Sequence, residues 1–408
     1  MDSADEFCEL ACLTYTSEDG PQRWEAARRL LRTRPDLTRE HIWAASAAGR
    51  DGDAERLLAA DPGLATRPGG PFGWRPLSYL AYSRAGGDRP VDLARRLLAA
   101  GADPDEGQLF GGLVPPFTAL TGLIGHGERG PVNQPRHPRW RELARLLLAA
   151  GADPNDGQAL YNTMFEPDDE PLELLFEFGL GRPHDSPWRR RLGERLATPQ
   201  RMLRTLLRWA VEHDQRDRVR LLAGHGVDVL SPFTGDGPAW APGDGSTPVA
   251  LARLYGHESI VDDLVARGAP PPAPDPVADL IAAAFRADPA AVAAVQARHP
   301  GVAEAARAAR PGLMVWAAAR ASVSTVDLLA GLGFDVNAPG RADAPVEEPW
   351  ETALHHAAGA GDVALTRRLL ELGADPRSRD RRFGATPLDW ARHLGRPATA
   401  ALLEPLTA

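Results

Sequence analysis

A fixed interval constrains this chain more than any other feature. Thr352 to Gly373, Thr247 to Gly268 and Thr205 to Gly226 each span 21 residues, and Glu40 to Asp61 keeps that spacing in a weaker copy. Within the clearest copy a small pair, Ala357-Ala358, is followed by a turn glycine, Gly361, and then by Leu369-Leu370. Leu97-Leu98-Ala-Ala-Gly-Ala-Asp103 and Leu147-Leu148-Ala-Ala-Gly-Ala-Asp153 repeat the second half. Thr352 is placed to accept from a free amide of the first helical turn. Pro248 and Pro387, directly after Thr247 and Thr386, suit the first helical position, where a missing N–H costs nothing. The closing Gly suits a left-handed residue after a helix. Each copy therefore reads as two short amphipathic helices, and generic Ala/Leu-rich helices would not keep a constant interval.

The stretch Glu351 to Asp375 resembles the ankyrin repeat, whose signature runs Thr-Pro-Leu-His-x-Ala-Ala, Gly, Leu-Leu, Gly-Ala-Asp. The resemblance implies an all-α fold, a solenoid of stacked helix-turn-helix units joined by hairpin-like fingers, and about ten repeats, several degenerate. It also implies a concave face, formed by first helices and fingers, on which a protein or peptide binds.

Residues 1–37 are expected to form an N-terminal helical cap, with one helix over 1–20 and another from Trp24 to Leu31. A first part of the array covers 38–269, with insertions at 84–90 and 126–138. Thr118 to Gly151 is 33 residues, an excess explained by the polar, proline-rich stretch His126 to Pro138. A basic irregular join is expected at 182–200. The Pro-rich connection 270–276 is too proline-dense for a helix, and a second part of the array with a C-terminal cap fills 277–408.

Only 6% of residues are aromatic while 43% are hydrophobic, which suits a thin Ala/Leu core between helices. The net charge of −9 gives no overall field to attract nucleic acid. All 46 basic residues are Arg, so any anion contact would be made by a forked guanidinium. Cys8 and Cys12, at i and i+4 on one face of the first helix, are too few for a zinc site and badly placed for a disulfide, so both are expected in the core. No basic leader and no membrane-length apolar run is present, and a cytoplasmic monomer is the expectation. A third alternative is self-association through an uncapped end.

The loops carry aromatics: Phe72 and Trp74, Phe110 and Phe117, Phe233 and Trp240, and Trp350. Bare rings on loops are characteristic of binding hot spots, although rings can also fold back onto neighbouring fingers. The candidate binding residues are Trp74, Phe110, Phe117, Trp240, Trp350 and His356, with Trp74→Ala and Trp240→Ala expected to weaken capture of a partner while sparing stability. His355 holds the motif's structural histidine position. No catalytic residue, cofactor or metal is expected on this reading. The alternative is an enzyme or small-molecule binder whose 84–90 and 126–138 insertions wall a pocket, with His126, Glu128 and His137 as acid, base or ligands. Their spacing fits no zinc pattern, and Asp168-Asp169 reads as a turn. Arg189 to Arg191 and Arg377-Ser-Arg-Asp-Arg-Arg382 are basic spots, solvated by default and matched to an acidic partner segment on the sharper reading.

Overall fold

The capping chemistry of the sequence is what starts the helices. In the computed structural model, which describes residues 3–234, 245–320, 322–341 and 349–407, Thr247 accepts from Ala250 N at 3.2 Å and Thr386 from Asp389 N at 3.2 Å. Thr352 shares a reciprocal cap with His355: Thr352 N donates to His355 Nδ1 at 3.2 Å. His355 Nε2 then faces Ala385 O at 3.0 Å, tying one copy to the next. Gly373 closes Val363–Glu371 at φ 92, where a side chain would be strained. Thr205 keeps the interval but not the capping role of Thr352. It lies inside Pro199–Glu212 and its hydroxyl donates to Arg201 O at 3.0 Å, so it caps nothing; Thr198 Oγ, accepting from Arg201 N, does.

The chain divides into two units, Met1–Leu206 and Leu207–Ala408. In the first, one layer stacks the first helix of each pair: Ile42–Ala47, Pro76–Tyr82, Ala119–Ile124, Gly157–Thr163. The second layer stacks Asp51–Ala60, Pro90–Ala99 and Trp140–Ala149. Ala44, Ala45, Ala81, Ala119 and Ala159 are fully buried where first helices meet, with Leu58, Leu97 and Leu147 buried in the second layer. Apolar area removed from water at this seam holds the layers together, each buried leucine contributing about 2 kcal/mol.

In the second unit Pro248–Leu254 packs on Pro276–Phe285, and Leu313–Arg320, Ala353–Ala360 and Pro387–His393 pack in turn. The 270–276 connection lies within this unit and is not helical before Pro276. Val302–Ala309, an Ala-rich helix without a predicted counterpart, packs on Pro276–Phe285. Leu313–Arg320 also reaches back to earlier helices. Trp316 meets Tyr255 at 3.9 Å and Arg320 pairs with Glu212 at 3.5 Å.

Three local expectations are corrected. The predicted helix over 1–20 stops at Ala11. Asp19 captures the amides of Thr14 (3.0 Å) and Thr16 (3.3 Å), so side-chain hydrogen bonds displace the helical ladder there. Cys12 therefore does not share a helix face with Cys8; it forms a β-bridge with Ser83, and both thiols are buried. Within the basic join, Pro187–Leu192 is helical, started by Ser186 accepting from Arg189 N. No helix among the described residues is long and apolar enough to cross a membrane.

Candidate functional site

The longest finger of the first unit follows Pro90–Ala99. Gly107–Gln108 pairs antiparallel with Phe117–Thr118, leaving 110–113 at the tip. The pairing needs glycine at 107: a Cβ there would lie 2.5 Å from Phe117 O. Acidic residues anchor the finger from within. Glu106 Oε1 accepts from Ser78 Oγ at 2.8 Å and from Ser78 N, supplying the cap that Arg75 does not give to Pro76–Tyr82. Asp156 caps Gly157–Thr163 through Gln158 N and Ala159 N at 2.9 Å and also accepts from Thr118 and Thr121.

A continuous run of rings forms the floor. Phe72 stacks on Trp74 at 4.4 Å; Trp74 meets Tyr79 and Tyr82 at 5.4 and 5.1 Å. Tyr82 meets Tyr15, Tyr15 meets Phe117 at 5.2 Å, and Phe117 meets Phe110 at 5.0 Å. Phe72, Trp74, Phe110 and Phe117 are half-buried. Three predicted binding residues are thus brought together, but as mutually braced rings, so Trp74→Ala removes packing as well as surface. At the tip Leu113 is 71% exposed. Tyr15 is held by its hydroxyl, which donates to Thr121 O at 3.4 Å and accepts from Asn162 Nδ2 at 2.9 Å.

The two insertions are joined by one cation. Arg84, nearly buried, donates to Pro135 O at 2.7 Å, Gly122 O at 2.6 Å and Ser83 O at 3.0 Å. His137 is 4% exposed, its Nδ1 accepts from Arg139 N at 3.1 Å, and burial beside Arg84 pushes its pKa down to about 3. His126 is pushed down to about 4 by burial, with Arg136 and Arg84 adding to the effect. Glu128 takes the Tyr161 hydroxyl. Each of the three has its own neighbours, and Arg84 keeps positive charge beside both imidazoles, which opposes a bound cation. No group of three or more His, Cys, Asp or Glu among the described residues could hold a metal ion.

In the second unit Trp350 meets Trp390 at 5.2 Å and Phe383 at 5.8 Å. His356 is half-buried, its pKa lowered to about 4 by burial and by Arg320. Trp240 lies outside the described residues. Phe233, by contrast, is buried, with the Arg208 guanidinium over its ring. Arg208 and Arg320 both reach Glu212, at 2.9 and 3.5 Å.

Leu113 and Phe383, the large apolar side chains most exposed on fingers among the described residues, are absent from the predicted set. Both carried a signal: Leu113 sits between Gly111-Gly112 and Pro115-Pro116, and Phe383 ends an arginine run. Turn residues on either side hold an apolar side chain away from any helix face. Tyr15 gave no signal, because its neighbours are distant in sequence.

The ankyrin repeat family model matches residues 350–381. No curated protein matches the chain.

Proposed function

We propose that this chain is a non-catalytic scaffold for protein–protein interaction. On this reading its helix pairs are about ten divergent ankyrin-type repeats in a solenoid, and the 101–118 finger with the adjoining rings grips a protein or peptide partner. The ankyrin repeat at 350–381 is a protein-interaction motif and supports the class. The single observation that carries the site is Leu113, 71% exposed on a finger where Phe110 packs on Phe117 and Phe117 on Tyr15. A rigid finger loses little entropy on binding, so an apolar tip there adds affinity at low ordering cost. Trp350 and His356 extend the same reading to the second unit.

The test is capture from extract of the native cells with wild type, Leu113→Asp and Trp74→Ala. Leu113→Asp is expected to lose the captured protein with the melting temperature unchanged, since it removes no buried contact. Trp74→Ala should cost about 2 kcal/mol of stability in addition. Capture of the same protein by Leu113→Asp would remove the finger from the site.

A further inference from the structure

The finger that follows Val363–Glu371 combines charge, an aromatic tip and rigidity. Arg377, Arg379, Arg381 and Arg382 are all exposed, and Phe383 is 68% exposed. Beneath them Asp380 is buried and fastens the loop. Its carboxylate accepts from Arg382 N (2.9 Å), Phe383 N (2.5 Å), Ala385 N (3.1 Å) and Trp390 Nε1 (3.0 Å). Arg381 N donates to Trp350 O at 2.7 Å, joining the finger to its neighbour. The Arg382 guanidinium lies 5.6 Å from the ring centroids of both Trp350 and Phe383.

Three of these, Arg379, Arg381 and Arg382, differ from other arginines on the surface. Arg145 pairs with Glu177, Arg368 with Asp327 and Glu371, and Arg392 with Glu404. Among the described residues, Arg379, Arg381 and Arg382 have no carboxylate within 4.0 Å; Arg379 donates to Gly384 O at 2.6 Å instead. Among the described residues, two carboxylates on neighbouring turns bond main chain: Asp375 takes Arg377 N at 2.9 Å and Asp389 takes Thr386 N at 2.9 Å.

We propose that the 377–383 finger is a docking site for an acidic segment of a partner protein: a short extended stretch of Asp and Glu with one apolar side chain seated on Phe383. Charge complementarity selects this occupant. Guanidinium forks match carboxylates two oxygens at a time, and the ring adds an apolar contact that fixes register. A nucleic acid would present many phosphates to a chain of net charge −9, which repels it beyond the finger. The site shares only Trp350 with the proposed scaffold surface and no residue with the Leu113 finger, so that finger and this one can fail separately.

The test pans a random-peptide phage library against wild type and against an Arg381→Glu/Arg382→Glu variant, then measures enriched peptides by fluorescence anisotropy. Peptides selective for wild type are expected to be rich in Asp and Glu with an aromatic or aliphatic residue. Their affinity should fall about 100-fold in the charge-reversal variant and about tenfold in Phe383→Ala. Leu113→Asp should leave it unchanged. Both finger variants alter exposed side chains and should melt with wild type. The proposal is overturned if no peptides enrich, if the enriched set is not acidic, or if the charge-reversal variant retains it. Displacement of the peptides by oligouridylate at matched salt would also overturn it, in favour of RNA.

Discussion

At the scale of the residue, Asp105 is out of step with its counterparts. Asn155 Oδ1 accepts from Gly181 N at 2.9 Å while its Nδ2 donates to Arg182 O at 2.9 Å. Asn337 does the same with Asp375 N (2.8 Å) and Gly373 O (3.0 Å). Asp105 Oδ1 accepts from Asp153 N at 2.9 Å, but its buried Oδ2 has no donor, and a carboxylate cannot give the second bond. Burial pushes its pKa up to about 7, with Asp156, Asp153 and Asp103 adding repulsion. A folded-state pKa above the unfolded value means the folded state binds the proton more tightly. The associated stability is therefore complete below the ordinary carboxyl range and lost as pH rises towards about 7. Glu106, raised to about 7 by burial, has the same sign, whereas the lowered His126 and His137 act oppositely, losing stability as pH falls. The difference between variants isolates one residue. Asp105→Asn should raise stability by about 1–3 kcal/mol at about pH 8 and by clearly less at about pH 5, measured by urea unfolding. An equal gain at both pH values would show that Asp105 does not titrate between them.

At the scale of the element, the helices stand on caps and on one buried stripe, and both can be tested singly. Leu369 is fully buried, so Leu369→Ala should cost about 2–5 kcal/mol in chemical denaturation. Thr386→Ala removes a reciprocal cap and should cost about 1 kcal/mol. A cost for Thr386→Ala as large as that for Leu369→Ala would mean that capping outweighs packing here. The same two features decided what was legible in the sequence. Helix pairs with a Thr or Thr-Pro start, a turn glycine and a Leu-Leu stripe were readable because each signal is local. Val302–Ala309 was not, since its Ala-rich stretch carries neither a Thr-Pro start nor a Leu-Leu stripe. Thr14 to Asp19 misled because a helical reading of polar residues ignores a carboxylate that takes their amides. In the candidate site, the rings of Trp74, Phe110 and Phe117 were visible as loop aromatics. Their partners Tyr82 and Tyr15 were not, because that contact depends on where a segment from the start of the chain comes to lie.

At the scale of the whole molecule, that segment gives the first unit a property that stacked helix pairs alone would lack. In an array with contacts only between neighbours, damage stays near its origin. Here Leu13 N donates to Tyr82 O at 2.8 Å and Arg84 N to Ala11 O at 2.7 Å. Tyr15 then reaches Thr121 and Asn162, 106 and 147 residues further along. One short stretch is thus bonded to three successive first helices, Pro76–Tyr82, Ala119–Ile124 and Gly157–Thr163, and to Arg84, two residues past the first of them. Tyr15→Phe keeps the ring contacts and deletes only the hydroxyl, so it should cost about 1–2 kcal/mol. The informative readout is where that cost appears. Native-state hydrogen exchange should show faster opening at Ala119–Ile124 and Gly157–Thr163, with Asp51–Ala60 little changed, because the lost bonds end on the distant helices and not on the adjacent pair. Faster exchange confined to the first helix pair would mean that the unit behaves as a nearest-neighbour stack and that the Tyr15 hydroxyl transmits nothing along it.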